Sequence, residues 1–547
     1  MATRLAVCHS AGLRIGQACL FMALLANLPV AVQADDVAQL AEAPPEVGID
    51  ELIRRKWRRE EVVSAPRCDD RTFVRRVYLD LAGRIPTPSE VATFLTDGRS
   101  GKRDHLVDAL LASEDHVQHV ADVLDAELMG RAAADKYAER TQFGWRRYLE
   151  DVVRRDRPWN EVTREILLAR PSAAGEAGSV WFLYERNNQH QAIAEAIAPA
   201  FFGIRVECAQ CHDHMLVDEI KQAHYWGLVA FFGRGKNQQT KNGPRVVESA
   251  IGGFSEFASI DGSTAPNRLT FVFAPTVAEQ RPAKGEKQED SDKLYVAGKL
   301  PNDPRVPVFS RRQRFVDEVL SEHPLVARAM VNRLWKMMLG RGLVHPHDEM
   351  DSSHPASHPV LLDWLARDFE TNGYRMRSLL RRLALSDVYQ LASARPKGVN
   401  DPALFAHYLE RRMTAEQLAR SFQMVIQGAF QNDAPLVHAF RKQFPAVLPD
   451  ETSASVSEAL FLSNSTQVET LIRTTTDERH LLRRLAALPD DRARVERLFE
   501  VAFARLPDEE ETNVLVTYLE KRAAERMRAL EQAVWSVLTS AEFCMNH

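Results

Sequence analysis

The sequence predicts a mainly α protein in which two helical domains are joined by a small β-containing insertion or linker. Three observations carry this. Through most of the chain apolar residues return at helical spacing, as Ile49, Leu52 and Ile53 do, or Val326, Met330, Leu334 and Met337. Across residues 235–306 that period is lost, and short β-type runs at 245–247, 269–273 and 294–296 stand among Gly, Pro and Lys/Glu-rich connectors. The 547 residues exceed one compact core, so the flanking stretches 47–234 and 307–547 are expected to be separate domains.

At the start of the chain, Arg4 and Arg14 precede an apolar run over 15–32 that is spotted by Gln17, Asn27 and Pro29 and ends in Val32, Gln33 and Ala34. That pattern reads as a secretory signal peptide over 1–34, followed by an acidic, alanine-rich linker at 35–46. A transmembrane anchor is the rival reading, but the run is short and polar-spotted, and no other segment is apolar enough to span a bilayer. Export to the periplasm or cell envelope is therefore expected, with no transmembrane anchor.

In the first helical domain, helices are expected at 72–83, stopped by Gly83 and Pro86, from Pro88 onward, and at 102–111, 117–129, 142–153 and 162–169. Two more, at 191–203 and 221–232, flank the segment that carries the chemistry. In the second domain they are expected at 312–320, 325–339, 358–371 with Ser357 as cap, 376–385, 413–427, 457–471, 478–488, 492–504, 508–522 and 523–543.

Composition narrows the function by exclusion. Hydrophobic residues at 45% and charged residues at 27% describe an ordinary globular chain, and a net charge of -5 gives no footprint for nucleic acid. The basic run 54–59 is followed at once by Glu60 and Glu61, which reads as a solvated helix face. No nucleophile elbow, HExxH, phosphate-binding loop or dinucleotide fingerprint is present, so those hydrolase, protease, kinase and dehydrogenase readings have no residues to carry them.

The specific signal is Cys208, Cys211 and His212, which spell C-x-x-C-H. Two thiols one turn apart can each add to a haem vinyl group while the next histidine ligates the iron, so haem c is the expected cofactor. The same stretch supplies a rival: Cys208, Cys211, His214 and His224 form C-x2-C-x2-H-x9-H, a zinc-like spacing that would staple the flanking helices. A bare C-x-x-C redox disulfide is the third reading, without a thioredoxin-like βαβ pattern around it. Cys8 and Cys19 leave with the signal peptide, and Cys68 and Cys544 form either a long-range disulfide or two unpaired buried thiols.

A haem iron takes a sixth ligand from elsewhere, and the pool is His345, His347, His354 and His358, in a loop that also holds Asp348, Glu349 and Asp351. That loop reads alternatively as a metal site of its own or as a hydrated connection. Asn332, Arg333, Trp335 and Arg341 read as a buried polar network between the domains. A filled sixth position would mean electron transfer, and an open one peroxide or small-ligand chemistry.

Several motifs occur together: VYLDLAGRIPT over 77–87, CAQCHDH over 208–214, VNRLW over 331–335, GRGLV over 340–344, SHPVLLDWL over 357–365 and SAEF over 540–543. In these the chain resembles the large family of exported planctomycete proteins that pairs a cytochrome-type domain of unknown function (PSCyt-type) with a C-terminal partner domain of unknown function (PSD-type). The resemblance runs from about residue 49 to the end. It implies the cytochrome label through the C-x-x-C-H motif and favours His358 among the distal candidates. The chain departs from the pattern at Met215 and Leu216, where Pro-Phe is usual, at His224, where an acidic residue is usual, and at Cys544, usually apolar. With one such motif, one haem is expected. The function expected is a redox role, electron transfer or haem-dependent oxidation, with a redox partner or envelope component to meet. The alternative is a zinc-stapled or disulfide-containing scaffold at the cell envelope without catalysis.

Overall fold

The central helix of the molecule is Asp70–Ala82, and its ends follow from the residues placed there. Asp69 caps it, accepting from the Thr72 amide at 2.9 Å, and Gly83 ends it at φ +66° with its amide donating to the Leu79 carbonyl. Every residue from Phe73 to Ala82 is buried, including Arg75, Arg76 and Asp80. A side chain at Gly83 would also meet the His119 ring at 2.5 Å, so space and conformation both demand glycine there.

A computed structural model describes residues 45–131, 134–283, 285–432, 435–448, 455–473 and 476–547. The expected signal peptide at 1–34 and the linker up to residue 44 lie outside the described residues. The fold is mainly α, with a small β-containing region of two-stranded sheets. Residues Pro45–His547 form one compact unit, within which the N- and C-terminal helical parts share a core. Leu79 and Ile85 pack into the same apolar cluster as Phe422, Phe440, Leu498, Val534 and Phe543.

Buried polar groups join the same parts. Arg76 Nη1 donates to the carbonyls of Tyr389 at 2.6 Å and Leu391 at 2.8 Å, and its guanidinium lies 3.5 Å from the centre of the Tyr408 ring. Asp80 accepts from the Tyr389 hydroxyl at 2.7 Å, the Tyr408 hydroxyl at 3.2 Å, Asn546 Nδ2 at 2.7 Å and Arg411. The short strands Arg411–Arg412 and Met545–Asn546 pair antiparallel and hold those partners in place.

Most expected helices are present, with differences that have local causes. The helix expected at 142–153 starts later, as Trp145–Arg154, because Gly144 turns the chain at φ +95°; a separate helix, Ala134–Gln142, precedes it. The thread over 457–471 breaks at Ser465, whose hydroxyl caps the second piece, Thr466–Ile472. Residues 523–543 divide into a 3₁₀ turn and the helices Arg526–Leu538 and Ala541–Cys544. Ser357 is not the cap of the next expected helix: Pro359–Thr371 has His358 at the cap position, with no side-chain cap bond.

The β-type run at 269–273 is no strand. Leu269 makes a single bridge to Val277, and Phe271 turns inward against Phe202 at 4.8 Å. The segment crosses the helix Gln222–Phe232 so closely that a Cβ on Gly227 would sit 2.2 Å from the Thr270 carbonyl oxygen. The polar stretch Gly235–Thr240, which has no apolar alternation, is nonetheless a strand, β1, paired with β2 at Gly243–Glu248. Tertiary pairing overrides β propensity at both places.

Candidate functional site

The motif follows Gly203 on a short 3₁₀ turn, Glu207–Gln210. Ala209 is buried beneath it, and Cys208 and Cys211 are exposed free thiols on either side. The turn is held by its carbonyls. Gln210 accepts from Gln222 Nε2 and from Trp226 Nε1, each at 3.0 Å, which fixes it to the Gln222–Phe232 helix. Cys211 accepts at 3.2 Å from the amide of Ile260, in the hairpin of β3 (Glu256–Ala258) and β4 (Thr264–Pro266). That hairpin is seated by Trp226, which stacks on Phe257 at 6.1 Å and 6°, and by Gln222 donating to the Ala258 carbonyl at 3.0 Å. The β-containing region therefore forms one flank of the motif.

Three histidines follow, and their hydrogen bonds separate them. His212 Nδ1 lies 2.6 Å from the Asp213 carbonyl oxygen, which can only accept, so this nitrogen carries the proton and Nε2 has a lone pair. His214 is the reverse: its Nδ1 accepts from the amides of Leu216 at 3.2 Å and Val217 at 3.1 Å, so the neutral ring has its proton on Nε2. His224 Nδ1 accepts from the Lys221 amide at 3.1 Å, and its other nitrogen donates to the Glu219 carbonyl. Burial lowers its pKa despite that bond. A neutral imidazole binds a metal through an unprotonated nitrogen, which His212 offers and His214 and His224 do not.

The Asp213 carboxylate accepts from the Gln222 amide at 2.9 Å and faces Lys221 Nζ at 3.5 Å, so the residue whose carbonyl orients His212 is itself anchored to the helix start. Met215, Leu216 and Ile260 are each about four-fifths exposed, at 82%, 79% and 81%, beside the thiols in sequence or through the Ile260 backbone bond. Among the described residues, no three His, Cys, Asp or Glu side chains gather into a group that can hold a metal ion, so the four zinc candidates do not converge.

Residues 48–237 match the family model PSCyt2, protein of unknown function (DUF1549), and residues 311–433 match PSD1, protein of unknown function (DUF1553). Together they cover more than half of the chain, in the expected order. The chain therefore carries both of these domains, in that order. Comparison with curated proteins and with solved structures returned no match.

The PSD1 region brings part of its histidine-rich loop against the PSCyt2 motif segment. The Met350 amide donates to the Gly203 carbonyl at 2.7 Å, Arg205 pairs with Asp348 at 2.5 Å, and Ser352 donates to Glu219 through its amide and hydroxyl at 2.8 Å each. His354 lies between Asp351 at 3.0 Å and Glu349 at 3.3 Å. His347 bonds Glu127 at 3.0 Å, and Arg333 Nε reaches the same oxygen at 2.8 Å; against the upward push of burial they hold Glu127 down at about 2. His358 is buried against Phe405, and burial, with Lys56 and Arg59 nearby, lowers it to about 3.

Asn332 and Arg333 are the internal polar network expected of them. The Asn332 amide exchanges two 3.0 Å bonds with the Val344 backbone, and Arg333 also donates to the Pro199 and Ala200 carbonyls. Trp335 packs on Phe405 at 5.3 Å. Cys68 and Cys544 are the unpaired alternative, both free, and burial pushes the Cys544 thiol up to about 12. Sequence reading missed Asp213, Gln222, Trp226 and Ile260. Asp213 lies inside the motif stretch, but nothing in spacing marks a backbone carbonyl as an orienting group.

Among the described residues no helix is long and apolar enough to cross a membrane.

Proposed function

We propose that this protein is exported and carries one covalently attached c-type haem, joined to Cys208 and Cys211 with His212 as iron ligand, in a redox role. The observation that carries this reading is the His212 bond to the Asp213 carbonyl, which fixes the ring and leaves Nε2 as the ligand nitrogen. The residues present fit the group. The two thiols are free and exposed, so each can add across a vinyl double bond, its sulfur to one carbon and its proton to the other, with no oxidant consumed. Haem, when bound, supplies one-electron chemistry.

The chain's own residues would do the positioning. The Gln210 and Cys211 carbonyl bonds hold the sulfurs at a set separation, and Asp213 sets the plane of the imidazole. Met215, Leu216 and Ile260 support the reading, because a macrocycle lying over them would cover apolar surface that otherwise faces water. The apolar run at 15–32 supports export, the compartment in which thioether attachment takes place. The zinc reading would require His214 and His224 to give up four backbone bonds between them to ligate through Nε2 in the usual way, with Nδ1 protonated.

The test is production in an export-competent host with the haem maturation machinery, followed by a visible spectrum and intact mass. A Soret band and a mass increase of one haem are expected, both lost in Cys208→Ser/Cys211→Ser. No Soret band and no added mass, together with stoichiometric zinc, would overturn the reading.

A further inference from the structure

Away from the motif, a cavity of about 320 Å³ opens between the end of the helix Trp159–Leu168, strand β2, the hairpin of β5 (Tyr295–Val296) and β6 (Val306–Pro307), and the start of the helix Arg311–Arg314. Its lining contains Arg164, Arg170, Arg245, Lys299, Arg305 and Arg312 with two carboxylates, Glu248 and Asp303; Arg164 and Arg305 are matched from outside it by Asp317 and Asp292, so the excess lies with Arg170, Arg312 and Lys299. Asp303 is matched by Arg245 at 3.0 Å. Glu248 is buried and shared: Arg170 and Arg312 both reach its Oε2, Arg312 through Nε at 3.4 Å, while Ser310 Oγ and the Arg311 amide donate to it at 2.6 Å each. Two guanidinium groups therefore face one buried carboxylate, Arg312 fully buried and Arg170 partly exposed.

The excess is visible in the bonding of Arg312. Its side chain is 1% exposed, its Nη2 donates to the Val246 carbonyl at 2.7 Å, and its buried Nη1 has no partner among the described residues. Burial, then the repulsion of Arg170, lowers the Arg312 pKa to about 10, still charged at neutral pH. A buried cation with an open donor is costly unless an anion or ordered water completes it. At the mouth, Lys299 is exposed and makes no ion pair among the described residues, which adds attraction for an incoming negative charge. The remaining walls are apolar, from Leu168, Val246, Val296, Val306 and Pro307, and the volume lies at the small end of ligand sites.

We propose that this cavity binds a small organic oxyanion, a compact apolar body bearing one carboxylate, phosphate or sulfate group, with Arg170 and Arg312 at its inner end and Lys299 at its mouth. The inference stands apart from the haem reading, since none of these residues belongs to the motif. The test is isothermal titration of the full-length mature protein, as produced, with isovalerate, inorganic phosphate and sulfate separately. Chloride at matched ionic strength and neutral isovaleramide serve as controls.

Saturable one-to-one binding of at least one oxyanion is expected, with neither control binding, and the anion that binds identifies the head group. Lys299→Glu, an exposed change, is expected to weaken that binding about tenfold without moving the melting temperature of the free protein. Arg312→Met, if it folds, is expected to abolish it. No saturable binding of any of the three, equal binding of chloride, or binding unchanged in Lys299→Glu would overturn the proposal.

Discussion

Asp80 and His212 both sit in the motifs that mark the family, yet their surroundings are built in opposite ways. The Asp80 carboxylate is 1% exposed and receives four donors, from Tyr389, Tyr408, Arg411 and Asn546, all supplied by the C-terminal part of the chain. Around His212 the backbone is held firmly, but the groups with chemistry to offer, two thiols and one imidazole nitrogen, are left with lone pairs and no partner among the described residues. A polar motif whose bonds close on themselves specifies a fold, and one whose bonds stay open specifies a reaction or a ligand.

If that contrast is right, stability resides in the first kind of site and cofactor loading in the second. The largest effect is expected on acidification. Burial lowers His116 and His323 to about 4, and His119 and His358 to about 3, from an ordinary value of 6.5. The unfolded chain takes up these protons and the native state resists them, so stability is full above pH 6.5 and falls as pH drops towards 3. Urea midpoints across that range should show it, and His119→Leu should reduce the slope by about one proton.

Next comes Asp80→Ala, which leaves four buried donors unmatched and is expected to cost about 3–5 kcal/mol in urea denaturation. A loss under about 1 kcal/mol would mean that the network is not a stability unit. His214→Ala frees only the exposed Leu216 amide and the part-buried Val217 amide, for about 1 kcal/mol, and should leave haem loading intact. Cys208→Ser/Cys211→Ser stands at the other extreme: stability within about 0.5 kcal/mol of the parent by the same measurement, with covalent haem lost from the mass spectrum. A large destabilisation there would break the contrast.

The sequence made the helical frame legible where local chemistry decides it. The capping box of Thr87 and Glu90 starts Pro88–Thr96, and the apolar period carries Lys102–Leu111 and Met376–Leu385 to the ends expected for them. It failed where partners distant in sequence decide, as with the strand at Gly235–Thr240 and the buried turn at 269–273. In the site, spacing picked out Cys208, Cys211 and His212, but it also offered His214 and His224 as a rival set. What tells the three rings apart is whether a carbonyl or an amide meets Nδ1, and that depends on loop geometry. The excess of guanidinium around Glu248 was illegible for a related reason, since Arg170 and Arg312 are far apart in the chain and each alone looks like a surface charge.

The pairing of Arg411–Arg412 with Met545–Asn546 also orders events in time. A chain that emerges N-terminus first presents Asp80 and Arg76 long before Asn546 and the His547 carbonyl, two of the groups that complete them. The central helix must wait, polar and half-housed, for residues almost at the far end. A fragment broken off by truncation would be left open at its middle rather than frayed at its tip, where proteases recognise it.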